Sequence, residues 1–275
     1  KLPDGTDLDA KHQVTVIVTD HKKAPQQGKN VTVKGDLGQS AAGKTDKNGE
    51  LTVPEVEQTE RHGVYIVGYT DGTFGPSRSM TRSEAAAIFA RLLAEKNGDT
   101  ISTAANTKFA DIPAHAWYSG YVKYLSNNGI TYGKSKTIFA PNDAITRAEF
   151  TTMAVRFFDV YGDGDAEIME QFSGFNDVSS GYWAAEYIKY AALHGWINGY
   201  GDGSFHADRE INRAEVVTIV NRLLGREADE DYIADNLRKL NTFPDVTKRH
   251  WAYYAVMEAA NAHTAVLGEN ESWSK

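Results

Sequence analysis

The chain has no cysteine. Disulfides, thiolate nucleophiles and cysteine-ligated zinc are therefore excluded, and an exported protein is a natural setting for such a composition. No apolar run approaches the roughly 20 residues that span a bilayer, so membrane insertion is not expected. No leader peptide opens the chain, and KLPDGTDLDAK reads as an interior cut. Positive charge is not in excess. The formal net charge is −8, which disfavours nucleic acid as a partner and leaves a polyanion possible only through a few well-placed cations. The eight histidines are scattered and no H-E-x-x-H occurs. His115 and His250 stand just before Trp117 and Trp251 without metal-ligand spacing. Asp163, Asp165 and Glu167 alternate like the start of an EF-hand loop. Ile168 stands where its glycine is required and Gly174 where its bidentate glutamate should be, so this reads as a solvated acidic linker. No pair of carboxylates has the signature of a glycosidase. A Lys–Asn isopeptide is not expected either, because VTVIVTD has no lysine and VYIVGY no asparagine. No catalytic residue, cofactor or metal is expected.

What the chain does have is a block that returns three times. It reads TRSE at Thr81–Glu84, TRAE at Thr146–Glu149 and NRAE at Asn212–Glu215, with Arg82, Arg147 and Arg213 spaced 65 and 66 residues apart. A second block keeps the same beat: FADIPAHAW from Phe109, FNDVSSGYW from Phe175 and FPDVTKRHW from Phe243. Fixed-period self-similarity means that one supersecondary unit is reused.

Residues 1 to about 60 read as β. HQVTVIVTD and KNVTVKG alternate, and Asp46, Asn48 and Gly49 form a tight turn before Leu51–Val53. This stretch resembles bacterial immunoglobulin-like and collagen-adhesin B-type modules, which implies a β-sandwich. From about His62 the pattern is helical. Apolar residues fall three, six, seven and ten positions after each arginine: Ala85, Ile88, Phe89 and Leu92; Phe150, Met153, Ala154 and Phe157; Val216, Ile219, Val220 and Leu223. A second stripe follows each tryptophan, through Val122, Ile188 and Val256, and the first two of these helices stop at Gly129 and Gly195. The halves are permuted. The first Arg helix has no Trp helix before it, and the last Trp helix has no Arg helix after it. A ring in which the C-terminal Trp helix completes the first unit, beside the first Arg helix, is the simplest closure.

Together these blocks resemble the S-layer homology (SLH) domain, whose pattern runs F-x-D-V, a W-A helix, G-I-x-x-G-Y-x-D-G-x-F-x-P and I-T-R-A-E. Residues 64–262 follow it across three units. Departures are local: Lys134–Lys136 replace DG in the middle loop, His206-Ala207 replaces x-Pro, Asn212 replaces Thr, and Ser83 replaces Ala. The resemblance implies a pseudo-threefold helical prism with grooves between units, acting as a non-enzymatic anchor. It would hold a surface protein to an anionic, often pyruvylated, secondary cell-wall polysaccharide outside a bacterium of Gram-positive type. Direct peptidoglycan binding and a structural lattice role are the alternatives. The expected fold class is thus multidomain. An all-β immunoglobulin-like module at 1–61 precedes an all-α SLH prism at 62–275, as a monomer with internal pseudo-threefold symmetry.

The motif residues carry two readings each. Thr81, Thr146 and Asn212 with Glu84, Glu149 and Glu215 have the form of capping boxes, a structural role. Arg82, Arg147 and Arg213 sit at the positive end of the helix dipole, where a cation adds little stability. Ligand contact beside free helix N–H groups is one reading of them, and a salt bridge is the other. Trp117, Trp183 and Trp251 are either core or stacking faces for a sugar ring. Asp111, Asp177 and Asp245 are turn residues or hydroxyl acceptors. Gly68, Gly133 and Gly201 either make turns or admit a ligand to the backbone.

Overall fold

The computed structural model describes residues 14–20, 22–34, 40–53, 58–161, 172–267 and 272–274. The linker residues Asp163, Asp165, Glu167 and Ile168 lie outside them. The chain forms two compact units, residues 1–62 with 263–275, and residues 63–262.

The first unit contains strands β1 (Val14–Ile17), β2 (Asn30–Lys34), β3 (Ser40–Lys44), β4 (Glu50–Val53) and β5 (Gln58–His62), joined by β6 (His263–Leu267) and β7 (Ser272–Ser274) from the other end of the chain. The expected turn forms as read. Asp46 Oδ1 accepts the N–H groups of Asn48 at 2.7 Å and Glu50 at 2.9 Å, and Gly49 takes a φ of 74°. The immunoglobulin-like sandwich does not form among the described residues. β1 pairs only with β4 and β2 only with β3, as two separate antiparallel ladders, while β5, β6 and β7 make a third antiparallel sheet. β5 finds its partner some 200 residues later in sequence, at β6. Trp273 of β7 is buried there, stacked 3.8 Å from His263 and inclined by 13°.

The second unit is helical. Its long helices are α1 (Arg82–Asn97), α3 (Arg147–Tyr161) and α5 (Arg213–Leu224), and the helices after each tryptophan are α2 (Ser119–Asn127), α4 (Ala185–Leu193) and α7 (Tyr253–Ala260). A short α6 (Glu230–Asn236), capped by Asp229 Oδ1 on the Tyr232 N–H at 2.8 Å, was not legible as a repeat element. All twelve stripe residues of α1, α3 and α5 are buried, so the 3.6-residue period was a true core signal. All three capping boxes form; at Thr146 and Glu149 the reciprocal distances are 3.1 and 3.2 Å.

Three buried residues just before these helices close a backbone ring. The Met80 N–H donates to Ile211 O at 2.9 Å, the Ile211 N–H to Ile145 O at 3.0 Å, and the Ile145 N–H to Met80 O at 2.9 Å. This cycle gives the unit its pseudo-threefold order. The expected placement of the C-terminal Trp helix needs correction. α7 packs on α5, as α2 packs on α1 and α4 on α3. Each Trp helix folds back on the Arg helix that precedes it, and the next unit is reached by the loops and by contacts between the long helices, as at Phe89 and Phe150. Closure at the chain ends uses Tyr65, 1% exposed, whose N–H donates to Ala259 O at 3.3 Å and whose hydroxyl binds Asn221 on α5.

Candidate functional site

The first turn of each long helix fixes what its arginine can do. The N–H groups of Arg82 and Ser83 donate to Asp143 O and Pro141 O, those of Arg147 and Ala148 to Arg209 O and Ala207 O, and those of Arg213 and Ala214 to Arg78 O and Pro76 O, all at 2.8–3.0 Å. The donors expected to be free at the helix ends are thus taken by carbonyls of the loop leading to the next long helix.

The arginine side chains follow their backbones. Arg82, Arg147 and Arg213 are only 4–5% exposed. Their Nε atoms donate to the carbonyls of Phe139 at 2.7 Å, Phe205 at 2.8 Å and Phe74 at 2.8 Å, and their guanidinium carbons lie 4.5–5.0 Å from the same phenylalanine rings. Arg82 and Arg147 also reach the capping glutamate of the next long helix, Glu149 and Glu215, each at 3.1 Å. Arg147 donates further to Asn198 O at 3.2 Å, and Arg213 to Val67 O at 2.7 Å. Burial lowers the pKa of Arg147, against the pull of Tyr200 and Glu215, and that of Arg213, against Tyr69 and Glu84. Each glutamate therefore caps its own helix and faces the arginine of the unit before it. Desolvation of the cation is offset by this full set of partners.

The aspartates staple the same loops. Asp111 accepts the N–H groups of Phe139 and Ala140, Asp177 those of Phe205 and His206, and Asp245 those of Phe74 and Gly75, at 2.6–2.9 Å for the closer oxygen. This grip turns Gly75, Ala140 and His206 to φ values of 67°, 58° and 54°. Alanine and histidine are held in a conformation that favours glycine, and Ala207, in the place of Pro76 and Pro141, offers the same carbonyl to the next helix. For Asp177 partial burial raises the pKa, but the Phe205 and His206 N–H groups outweigh it and the net shift is downward.

Two of the expected glycines admit no side chain. A Cβ on Gly68 would meet Phe243 at 2.5 Å, and one on Gly133 would meet Phe109 at 2.4 Å. In the third loop that place belongs to Gly199, where a Cβ would meet Phe175 at 2.5 Å, while around Gly201 nothing lies within 4 Å. The glycines are thus pressed against the phenylalanine that opens each Trp block.

Trp117, Trp183 and Trp251 are 53%, 57% and 65% exposed. They are not core residues. Two of them wall clefts. One cleft, of about 250 Å³, is lined by Arg147, Asn198, Tyr200, Glu215, Arg222 and Trp251. The other, of about 90 Å³, is lined by Arg82, Tyr132, Gly133, Glu149, Arg156 and Trp183. Each cleft combines the arginine of one unit, the long helix of the next and the tryptophan beyond it. By the same offsets the third set is Arg213, Val67, Glu84, Arg91 and Trp117.

Sequence reasoning missed a second arginine set, Arg91, Arg156 and Arg222, each nine residues after the motif arginine. The constant offset was the available signal. It also missed a paired exchange in the loops. Arg78 lies over Tyr69, 4.2 Å from the ring centroid, and Arg209 over Tyr200 at 5.5 Å; Lys134 and Asp143 occupy the matching places as an ion pair at 2.9 Å.

The S-layer homology domain family matches residues 52–86, 108–151 and 174–217. The chain carries three S-layer homology repeats. It is 30% identical over 233 residues to a cellulosome-anchoring protein of Acetivibrio thermocellus, covering 84% of this chain and 49% of that protein. It is 34% identical over 218 residues to cell surface glycoprotein 1 of the same organism, covering 76% of this chain and 9% of that protein. A surface-layer 125 kDa protein of Lysinibacillus sphaericus is 32% identical over 163 residues, 58% of this chain and 13% of its own length. The chain thus spans half or less of the length of these relatives. The expected location, the bacterial cell surface, is the one that two of these names carry. Among the described residues no helix is long and apolar enough to cross a membrane.

Proposed function

We propose that the chain anchors a surface protein to the bacterial cell wall, without catalysis, by binding an anionic, pyruvate-bearing wall polysaccharide in the clefts between its repeats. The observation that carries this reading is a large aromatic face left in solvent at the mouth of a cationic cleft, Trp251 with Arg147 and Arg222. The flat face of the exposed indole suits the C–H face of a sugar ring. Arginine suits a ketal carboxylate. Trp117 and Trp183 would serve in the same way. Arg82, Arg147 and Arg213 would form the cleft floors, while the aspartates and glycines would hold the loops that shape the walls. That a relative 30% identical over 233 residues is named a cellulosome-anchoring protein supports the anchoring role.

The test is sedimentation of the chain with cell-wall sacculi before and after the polysaccharide is stripped from the peptidoglycan. Binding that disappears on stripping is the expected result. Binding that survives assigns the chain to peptidoglycan, and self-assembly into sheets without walls assigns it to a lattice.

A further inference from the structure

The second arginine set occupies one position in three copies, yet its surroundings differ stepwise. Arg156 is held by two tyrosines. It donates to the Tyr187 hydroxyl at 3.2 Å from Nε and 3.0 Å from Nη2, and its guanidinium carbon lies 4.9 Å from the Tyr187 ring and 4.7 Å from the Tyr132 ring. Arg91 is held by one. Its Nε donates to the Tyr121 hydroxyl at 3.4 Å, with the ring 5.0 Å away. Arg222 has neither, and among the described residues no side chain hydrogen-bonds or ion-pairs with it.

The repeat explains the series. Tyr121 and Tyr187 stand four residues after their tryptophans, and Ala255 takes that place after Trp251. Tyr132 directly precedes its loop glycine, where the other two loops have Val67 and Asn198. The cleft whose Arg156 is held by two tyrosines measures about 90 Å³, and the cleft whose Arg222 is held by none about 250 Å³.

We infer that the tyrosines grade the three clefts. The Arg222 cleft takes an anionic saccharide first, the Arg91 cleft is weaker, and the Arg156 cleft is closed by the chain's own aromatic rings. This rests on the anionic-glycan reading above for the ligand, though the grading itself does not. A guanidinium that already stacks on two rings and hydrogen-bonds a phenol must give up those contacts to meet a carboxylate. Arg222 gives up only water. A free exposed arginine with an indole opposite meets a carboxylate without giving up a protein contact, whereas a captured one cannot.

Two measurements on the full chain decide this. The first is calorimetric titration with the methyl glycoside of a 4,6-pyruvylated N-acetylhexosamine. Arg222→Ala should weaken binding at least tenfold and Arg156→Ala should leave it unchanged, with melting curves confirming that both fold. Ala255→Tyr should capture Arg222 and also weaken binding. Equal losses from Arg222→Ala and Arg156→Ala, or a larger loss at Arg156, overturn the grading. The second is phenylglyoxal modification of the unliganded protein, mapped by mass spectrometry, which needs no ligand. Arg222 should react fastest, Arg91 next and Arg156 slowest. Equal rates overturn the grading even if the saccharide binds. Absence of saccharide binding with graded rates retires the ligand reading alone.

Discussion

Asp245 accepts the backbone N–H of Gly75 at 2.7 Å, across 170 residues of chain. It repeats what Asp111 and Asp177 do within their own stretches of sequence, so the first loop is completed by the last Trp block. Asp245, the Phe243–Phe74 ring contact and Tyr65 thus add to the bonds that Arg213 makes to the same loop in closing the ring. Asp245→Ala removes two charge-assisted hydrogen bonds, each contributing about 1.5–3 kcal/mol. With partial solvation of the freed N–H groups, a loss of about 2–4 kcal/mol is expected from urea unfolding. Asp111→Ala should cost a similar amount. A much smaller loss at Asp245 would mean that the ring is held elsewhere.

Asp177 gives the pH dependence. Its folded-state pKa lies below the ordinary carboxylate value because the Phe205 and His206 N–H groups outweigh desolvation. A depressed pKa contributes stability that is complete above the unfolded-state value and is lost as pH falls through the folded-state value. The stability gap between wild type and Asp177→Asn should thus stay constant above about pH 5 and narrow below about pH 4. Thermal melts at stepped pH read the gap directly. A gap that widens on acidification contradicts the staple.

The sequence made the long helices legible because their burial follows the 3.6-residue period, as at Ile88 and Phe89, and because Thr81 and Glu84 cap locally. It also set the three repeats in register. It could not say where Arg82 points, since Phe139 and Glu149 lie 57 and 67 residues away and no local rule reaches that far. Read from the dipole alone, Arg82 looked unused by the fold. The loop reading erred for a different reason: the Gly199-Tyr200-Gly201 run offers two glycines, and only contact with Phe175 tells them apart. Burial habit left Trp251 open between core and surface, because a tryptophan on an amphipathic helix is usually inside, and its 65% exposure excludes the core. In the first unit the β5 segment was not singled out as a strand, and its partner β6 lies beyond the whole helical unit in sequence.

The two glycines separate cleanly by substitution. A Cβ at Gly199 would lie 2.5 Å from Phe175 and 2.6 Å from Ser204 O, the latter backbone that cannot swing aside. Gly199→Ala should cost about 1–3 kcal/mol through overpacking. Gly201→Ala meets open space and has no positive φ to lose, so it should stay within about 0.5 kcal/mol of wild type. Equal melting temperatures for the two variants would argue that the loop relaxes freely.

Arg82 is the sharpest test of how fold and binding share these residues. If it were held in reserve for a ligand at a helix end, Arg82→Ala would leave the melting temperature unchanged. Its position argues otherwise. It is 4% exposed, its Nε holds Phe139 O and its Nη1 pairs with Glu149. Removing it strands a carbonyl and a carboxylate that are largely shielded from water. Breaking a buried pair in this way costs about 3–5 kcal/mol, and the partial exposure of Glu149 brings the expectation down to about 2–4 kcal/mol. Arg82→Lys should recover less than half, because one ammonium cannot reach both acceptors in the geometry of the guanidinium fork. Glu149→Gln should lose part of the same energy, and the double variant should lose less than the sum, since both changes break one interaction. Urea unfolding of the four proteins completes the cycle. Strict additivity would leave Arg82 and Glu149 as independent neighbours and return the arginine to the role that its sequence position alone suggested.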